Sequence, residues 1–330
     1  MVLVTGASGF LGGELVKQLV AKGESVRILV RPTSTITQFT PILDKLEIAE
    51  GDILDIPSLE SALEGIDKIY HSAAIIGYDS SYYDAMYKTN IEGTANVVNV
   101  ALGKGIKKIL HVSSIAAIGG KPKELITEET KWEKNQWTTH YGITKMLAER
   151  EIWRGIQEGQ EAVIINPGII VGTGNDEHKA TIRLFKQIAT RKLPFYTNGT
   201  NGFIDVEDTA KAAIQLMNSN THSERFIAVS ENISFKNYFE QAASALQVPP
   251  PARSLNPLLT KVFVTADWFL SKVSNRKRKV TKENLNVAME KFEYDNQKIK
   301  KALDFNFIPL DQTIQKVALA MKSQAGSKNI

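Results

Sequence analysis

The chain has 330 residues, enough to bury a full core as one large domain or as two unequal lobes. Hydrophobic residues make up 43% and charged residues 23%, which excludes a disordered chain, and the absence of cysteine excludes disulfides, thiolate metal sites and a cysteine nucleophile. A net charge of +4 is too small at this length to argue for nucleic acid, although it suits an anionic ligand.

An apolar run from Val2 to Val4 predicts a short buried strand, and with the chain starting there no signal peptide is expected. Gly6, Gly9 and Gly12 follow and lead into Glu14 to Val20, which has helical spacing. In the order strand, turn, helix, glycines have a physical task. They permit the tight turn, let the backbone approach a pyrophosphate, and leave the N–H groups of the helix start aimed at the anion. Taken alone the spacing is weak, since glycines also serve ordinary turns. Ser25 to Val30 is apolar and β-rich, as in a strand covered on both faces. Leu46 to Glu50 reads as a third strand before Gly51-Asp52-Ile53, and Pro57 to Glu64 as a helix. A fourth strand, Lys68 to His71, closes on Ser72-Ala73-Ala74, and a helix from about Asn90 to Leu102 precedes a fifth, Lys108 to Val112, which ends at Ser113 and Ser114. A helix carrying Tyr141 and Lys145 then leads to a sixth strand, Ala162 to Asn166. This alternation predicts an α/β fold, a doubly wound parallel Rossmann sheet with helices on both faces.

After Pro167 the alternation loosens. Residues 1–168 are expected to form the dinucleotide-binding domain, with 203–229 returning to it and Phe226 to Val229 adding a strand. Residues 169–202 and 230–310 are expected to form a smaller, mostly helical substrate lobe, broken at Pro249-Pro250-Pro251. There are no internal repeats. Arg276 to Lys279 reads as a solvated surface, and 322–330 as a frayed tail. The longest membrane-span candidate, Leu255 to Leu270, is interrupted by Lys261 and Asp267, so a cytoplasmic protein without a membrane span is the expectation.

Two features test the glycine turn. Arg31 ends the second strand, roughly 20 residues past the glycines, where a carboxylate favours NAD and an arginine accommodates the 2′-phosphate of NADP. Thr33 and Ser34 follow as hydroxyl donors, and no Asp or Glu competes between Val26 and Gln38. Tyr141 and Lys145 are four residues apart, so on a helix the phenol and the ammonium share a face. An unperturbed tyrosine, with a pKa of about 10, is a poor proton shuttle at neutral pH. A neighbouring cation favours its phenolate.

The order of these pieces resembles the extended short-chain dehydrogenase/reductases, within the NAD-dependent epimerase/dehydratase and dihydroflavonol-reductase-like group. The matching residues are Thr5-Gly-Ala-Ser-Gly-Phe-Leu-Gly12, Gly51-Asp52-Ile53, His71-Ser-Ala-Ala74, Asn90-Ile-Glu-Gly-Thr94, Val112-Ser-Ser114, Tyr141-x-x-x-Lys145, Asn166-Pro-Gly168 and Phe203-Ile-Asp-Val-Glu-Asp208. From Ile233 onward the resemblance is loose. It implies a general acid/base role for Tyr141, and for Lys145 a hold on the nicotinamide ribose together with a lowering of the tyrosine's pKa. Ser114, placed by counting back from Gly119, would hydrogen-bond the reacting oxygen, with Ser113 structural or near the nicotinamide. The implied cofactor contacts are Thr5, Gly6, Ser8, Gly9, Phe10, Leu11 and Gly12 in the turn, Arg31 at the ribose, and Asp52 and Ile53 at the adenine. Ala73 and Ala74 would lie beside the pyrophosphate and ribose, and Pro167 and Gly168 beside the nicotinamide. A homodimer is expected from the resemblance alone.

Other conspicuous residues read more plainly. His140 adjoins Tyr141 on another side of the helix, and packing or solvent suits it better than catalysis. His71 and His111 read as core or edge residues, and the five histidines show no metal-ligand spacing, so no metal is expected. Asp208 reads as the N-cap of the helix that begins at Thr209. Tyr78, Tyr82, Tyr83, Trp132 and Trp137 lie beyond strand ends and could wall a substrate pocket or pack between lobes.

Three functions fit. An NADP(H)-dependent carbonyl reductase acting on a small organic substrate is favoured by Arg31. A nucleotide-sugar epimerase or dehydratase using bound NAD or NADP is weakened by Ile115 and Ala116, where dehydratases place carboxylates, and by Ile169, where sugar-nucleotide enzymes often carry an asparagine. A cofactor-sensing binding protein is disfavoured by the intact Ser114, Tyr141 and Lys145.

Overall fold

The computed structural model describes all residues except 78, 175–179, 194, 256–264, 266, 268–281 and 327–330. The expectations for Tyr78, for the Arg276 to Lys279 run, for most of the Leu255 to Leu270 stretch and for the last residues of the tail therefore lie outside the described residues.

The opening segment forms β1 (Val2–Thr5), followed by α1 (Phe10–Ala21) and β2 (Val26–Val30). Next come β3 (Leu46–Glu50), α2 (Ile56–Ala62) and β4 (Lys68–His71). A short α3 (Tyr83–Met86) continues through a π-helical turn, Tyr87–Glu92, into α4 (Gly93–Lys104). Then follow β5 (Lys108–Val112), β6 (Leu125–Ile126), α5 (His140–Gln157), β7 (Ala162–Pro167) and β8 (Ile169–Val171). The remainder holds α6 (Ala180–Ala189), β9 (Phe195–Tyr196), β10 (Thr200–Asp205), α7 (Val206–Asn218), β11 (Glu224–Ala228), β12 (Glu231–Ser234) and α8 (Phe235–Leu246).

Seven strands form one sheet in the order β11-β7-β5-β4-β1-β2-β3, and all of its pairings are parallel. Period-two alternation divides its residues between two layers. Val2 and Val4 join Val26, Ile28 and Leu110 against Leu15 and Leu19 of α1 and Ile214 and Met217 of α7. Leu3, Ile69, Ile109 and Ile164 face the other way, against Leu59 of α2, Val97 of α4 and Ile152 of α5. Full burial of each such side chain stabilises the fold by about 1.5–3 kcal/mol before entropy is counted. Chain order reverses between β1 and β4, which opens a crevice at the carboxyl ends of the strands, where this architecture binds ligands.

The second half adds a separate small sheet and differs from the sequence reading at the start of one helix. Phe203 to Asp205 form no pairing with the main sheet, although Ile204 is buried in its core. They belong to β10, which pairs with β8 in parallel and with β12 in antiparallel fashion in a separate three-stranded sheet. β11 adds a strand to the main sheet, and α7 packs on it together with Ile204 of β10. The N-cap of α7 is Asp205 rather than Asp208: its side chain accepts from Glu207 N at 2.6 Å. Asp208 lies in the first turn of α7 and accepts instead from Ile308 N at 2.5 Å. Helix α7 therefore begins three residues earlier than expected, directly from the strand.

Candidate active site

At the end of β1 the three glycines pack on one another. Gly6 has φ +70, and a Cβ there would lie 2.6 Å from Ala73 N, while a Cβ on Gly12 would lie 2.1 Å from Gly6 O. Side chains are thus excluded where the turn meets the backbone leaving β4. Gly9 caps α1 with no side-chain hydrogen bond, so the first N–H groups of the helix keep their capacity to bind an anion. Both observations fit a pyrophosphate in the cradle. Thr5 is fully buried, and Ala73 N donates to its hydroxyl at 3.3 Å. Ser8, Phe10 and Leu11 continue this turn into α1. Gln38, which the sequence did not single out, reaches the turn from the β2–β3 connection and donates to Ala7 O at 3.0 Å.

Arg31 is exposed just beyond β2, with Ser34 N donating to its carbonyl at 2.8 Å. Beyond β3, Asp52 accepts from Leu54 N at 3.0 Å and Ile53 is buried beneath α4. Ala73 and Ala74 leave β4. The next residue, Ile75, is clamped by Asn90 of the π turn, whose amide accepts from Ile75 N at 2.7 Å and donates to Ile75 O at 3.0 Å.

The candidate chemical groups converge from β5 and α5. Ser114 has a half-buried side chain whose Oγ accepts from Ala116 N at 3.2 Å and so begins the turn Ile115–Ala117. The first turn of α5 lies against this one: Thr139 caps the helix, and a Cβ on Gly142 would come within 2.7 Å of Ala116 O. Tyr141, half-buried, and Lys145, one turn later, are thereby carried to the end of β5. Lys145 is 1% exposed, and its Nζ donates to Val112 O at 2.7 Å with His111 Nε2 at 3.5 Å. Burial pulls its pKa down to about 8, partly offset by the Glu149 carboxylate. Ser113 is buried, with no hydrogen-bond partner for its hydroxyl among the described residues. Pro167 ends β7, and Gly168 N donates to Ala228 O at 2.9 Å.

His71 and His111 prove to be core residues directly under the site. Thr94 Oγ1 donates to Asn90 O at 2.6 Å, so it accepts from His71 Nε2 at 3.0 Å, and Thr5 Oγ1 donates to His71 Nδ1 at 2.8 Å. His71 is thus held neutral, and burial, with Lys145 nearby, pushes its pKa down to about 3. His140 stacks on Tyr83, with ring centroids 3.7 Å apart, and lies 3.7 Å from Glu283 of the helix Lys282–Met289. Trp137 packs edge-on against Phe292, and Trp132 lies against Gly119. Tyr82 covers Gly77, so these described aromatics hold connections together.

A glycine turn at the switch point of a parallel sheet, with a tyrosine and a lysine brought to the end of β5, defines an NAD(P)-dependent enzyme of the extended short-chain dehydrogenase/reductase type. More narrowly, the chain belongs to the NAD-dependent epimerase/dehydratase family, whose sequence profile matches residues 2–228. Sterol demethylase protein B of Methylococcus capsulatus is 27% identical over 78% of this chain and 78% of its own. Cinnamoyl-CoA reductase 1 of Petunia hybrida is 29% identical over 69% of this chain and 72% of its own. The crystal structure of gox2253 superposes with a TM-score of 0.86 at 28% identity, covering 98% of each chain. Among the described residues, no helix is long and apolar enough to cross a membrane, and no cluster of His, Cys, Asp or Glu could hold a metal ion.

Proposed function

We propose that the protein is an NADP(H)-dependent oxidoreductase that reduces a carbonyl, or oxidises the corresponding alcohol, of a small organic substrate, with Tyr141 as general acid/base. The observation that supports this reading is the seating of the first turn of α5, which carries Tyr141, on the Ser114 turn, with the buried Lys145 ammonium against the last carbonyl of β5. The glycine turn and the open start of α1 would hold the pyrophosphate, Asp52 and Ile53 would adjoin the adenine, and Arg31 would meet a 2′-phosphate. Gly168, with the Ala73 and Ala74 backbone, would flank the rest of the dinucleotide.

When bound, the dinucleotide supplies or accepts the hydride. The protein's own groups manage the oxygen. Ser114 Oγ accepts from Ala116 N, which leaves its proton to donate to the reacting oxygen. Tyr141 gives that oxygen a proton as the carbonyl is reduced and is reprotonated from solvent; in oxidation both transfers reverse. Lys145, charged below its pKa of about 8, favours the phenolate that Tyr141 leaves behind. Apolar Ile115 and Ala116 beyond Ser114, and Ile169 beyond β7, favour a reductase over a sugar-nucleotide dehydratase.

The test is a titration with NADPH and NADH followed by turnover of aldehydes and ketones. NADPH is expected to bind more tightly, Arg31→Ala to narrow the gap, and Tyr141→Phe to remove most turnover while leaving cofactor affinity within about twofold. Equal affinities in the unmutated protein would sink the NADP preference. Undiminished turnover in Tyr141→Phe would reject the proton-transfer role, and epimerisation of a UDP-sugar without NADPH oxidation would place the protein with the epimerases.

A further inference from the structure

Behind the candidate site, a buried acid–amide pair ties its two halves together. Glu149 lies one helical turn beyond Lys145 on α5 and is 3% exposed. Asn166, at 0% exposure on β7, donates through Nδ2 to Glu149 Oε1 at 2.5 Å and to Ser114 O at 3.0 Å. Both hydrogens of one amide nitrogen are thus spent, one on the helix that carries Tyr141 and one on the backbone of the serine. The amide cannot be flipped without turning Oδ1 toward two acceptors. Glu149 Oε2 faces Arg225 of β11 across 3.4 Å. Arg225 is itself anchored, donating through Nε to Glu128 O at 2.9 Å and through a terminal nitrogen to Thr130 O at 3.3 Å. The carboxylate is therefore paired, oriented and out of water.

We infer that Glu149 and Asn166 are positioning residues for the reaction: Glu149 orients the Asn166 amide, and the amide holds Ser114 at a set distance from the first turn of α5. The inference rests on the proposed roles of Ser114, Tyr141 and Lys145. A brace of this kind matters because displacing a reacting group by about 1 Å can cost on the order of 100-fold in rate. Its charge has a second effect. The groups around the Lys145 ammonium are neutral His111 on β5, neutral His71 on β4, Tyr141 one turn before it, and Glu149 one turn after it. Glu149 is the carboxylate that favours the charged ammonium. Removing that carboxylate lowers the pH at which Lys145 loses its proton.

The test measures kcat, its pH profile and cofactor Kd for Glu149→Gln and Asn166→Ala, each in the wild-type and Ser114→Ala backgrounds, with Tyr141→Phe alongside. In the wild-type background both variants are expected to lower kcat roughly tenfold or more with Kd within about twofold. In the Ser114→Ala background Asn166→Ala is expected to cost almost nothing further, since the brace acts through Ser114, and Glu149→Gln to keep only its effect on the pH profile. Glu149→Gln is also expected to move the alkaline limb of the kcat profile to lower pH. An equal loss in both backgrounds, an unchanged kcat, or an unmoved limb overturns the inference. Should Glu149→Gln alone not fold, the pair Glu149→Gln/Arg225→Gln, which leaves no unpaired buried charge, is read by the same criteria. Full turnover in Tyr141→Phe signals instead that the underlying reading of the site has failed.

Discussion

Lys145 sits in the folded protein with its charge almost wholly removed from water, and its pKa falls from the ordinary 10.5 to about 8. Between those two values the unfolded chain binds a proton that the folded chain does not, so stability rises with pH across that window. Below pH 8 the folded protein carries the whole cost of the buried ammonium, about 3 kcal/mol. Lys145→Met removes this dependence. In denaturant titrations of the cofactor-free proteins, the stability of the wild type relative to the variant is expected to rise by about 2 to 3 kcal/mol between pH 7 and pH 10. A difference that stays constant over that range would contradict the assignment. At this scale Tyr141 and Lys145 were legible because one helical turn separates them, whatever surrounds the helix. His71 and His111 were not, because the role of a strand histidine depends on which strand lies beside it: His71 is fixed by Thr5 of β1 and Thr94 of α4, both far away in sequence.

Helix α5 shows how an element can serve chemistry against its own propensity. Glycine at position 142 weakens the first turn by about 1 kcal/mol relative to alanine, yet only glycine leaves room for the Ala116 carbonyl. Gly142→Ala sets a gain in helix stability against a 2.7 Å approach to that oxygen, so the turn and the helix must separate. Turnover is expected to fall roughly tenfold with a change in Tm of only a few degrees, checked by steady-state kinetics beside thermal unfolding. Undiminished turnover would show that the seat does not matter. Most main-sheet strands were legible to within a residue because apolar β-rich runs between turn residues have few alternatives. The start of α7 was misread for a physical reason. Asp205 and Asp208 are both capping types, and local pattern cannot tell which is still in the extended conformation; the pairing of β10 with β8 and β12 decides that.

Across the whole molecule, the C-terminal segment crosses back over both halves of the fold. Ile299 and Phe305 belong to the core under α1 and α7, whereas Leu310, Ile314 and Val317 belong to the cluster around α8. Thr313 donates to Asp205 Oδ2 at 2.7 Å, and Asn296 donates to Val229 O at 2.7 Å, so the same segment is pinned to β10 and to the end of β11. Deleting 296–330 opens both cores at once. A chain ending at residue 295 is expected to lose cooperative thermal unfolding in calorimetry, and a sharp transition at the wild-type midpoint would contradict this dependence. The sequence by itself determined the parallel α/β architecture, the glycine turn and the spacing of Tyr141 and Lys145, because these rest on periodicity and on contacts within a few residues. Only the tertiary structure decided the separate sheet of β8, β10 and β12, the buried histidines beneath Lys145, and the Glu149–Asn166 brace to Ser114. Each of these is a meeting of residues far apart in the chain, and such pairings leave no local pattern for the sequence to display.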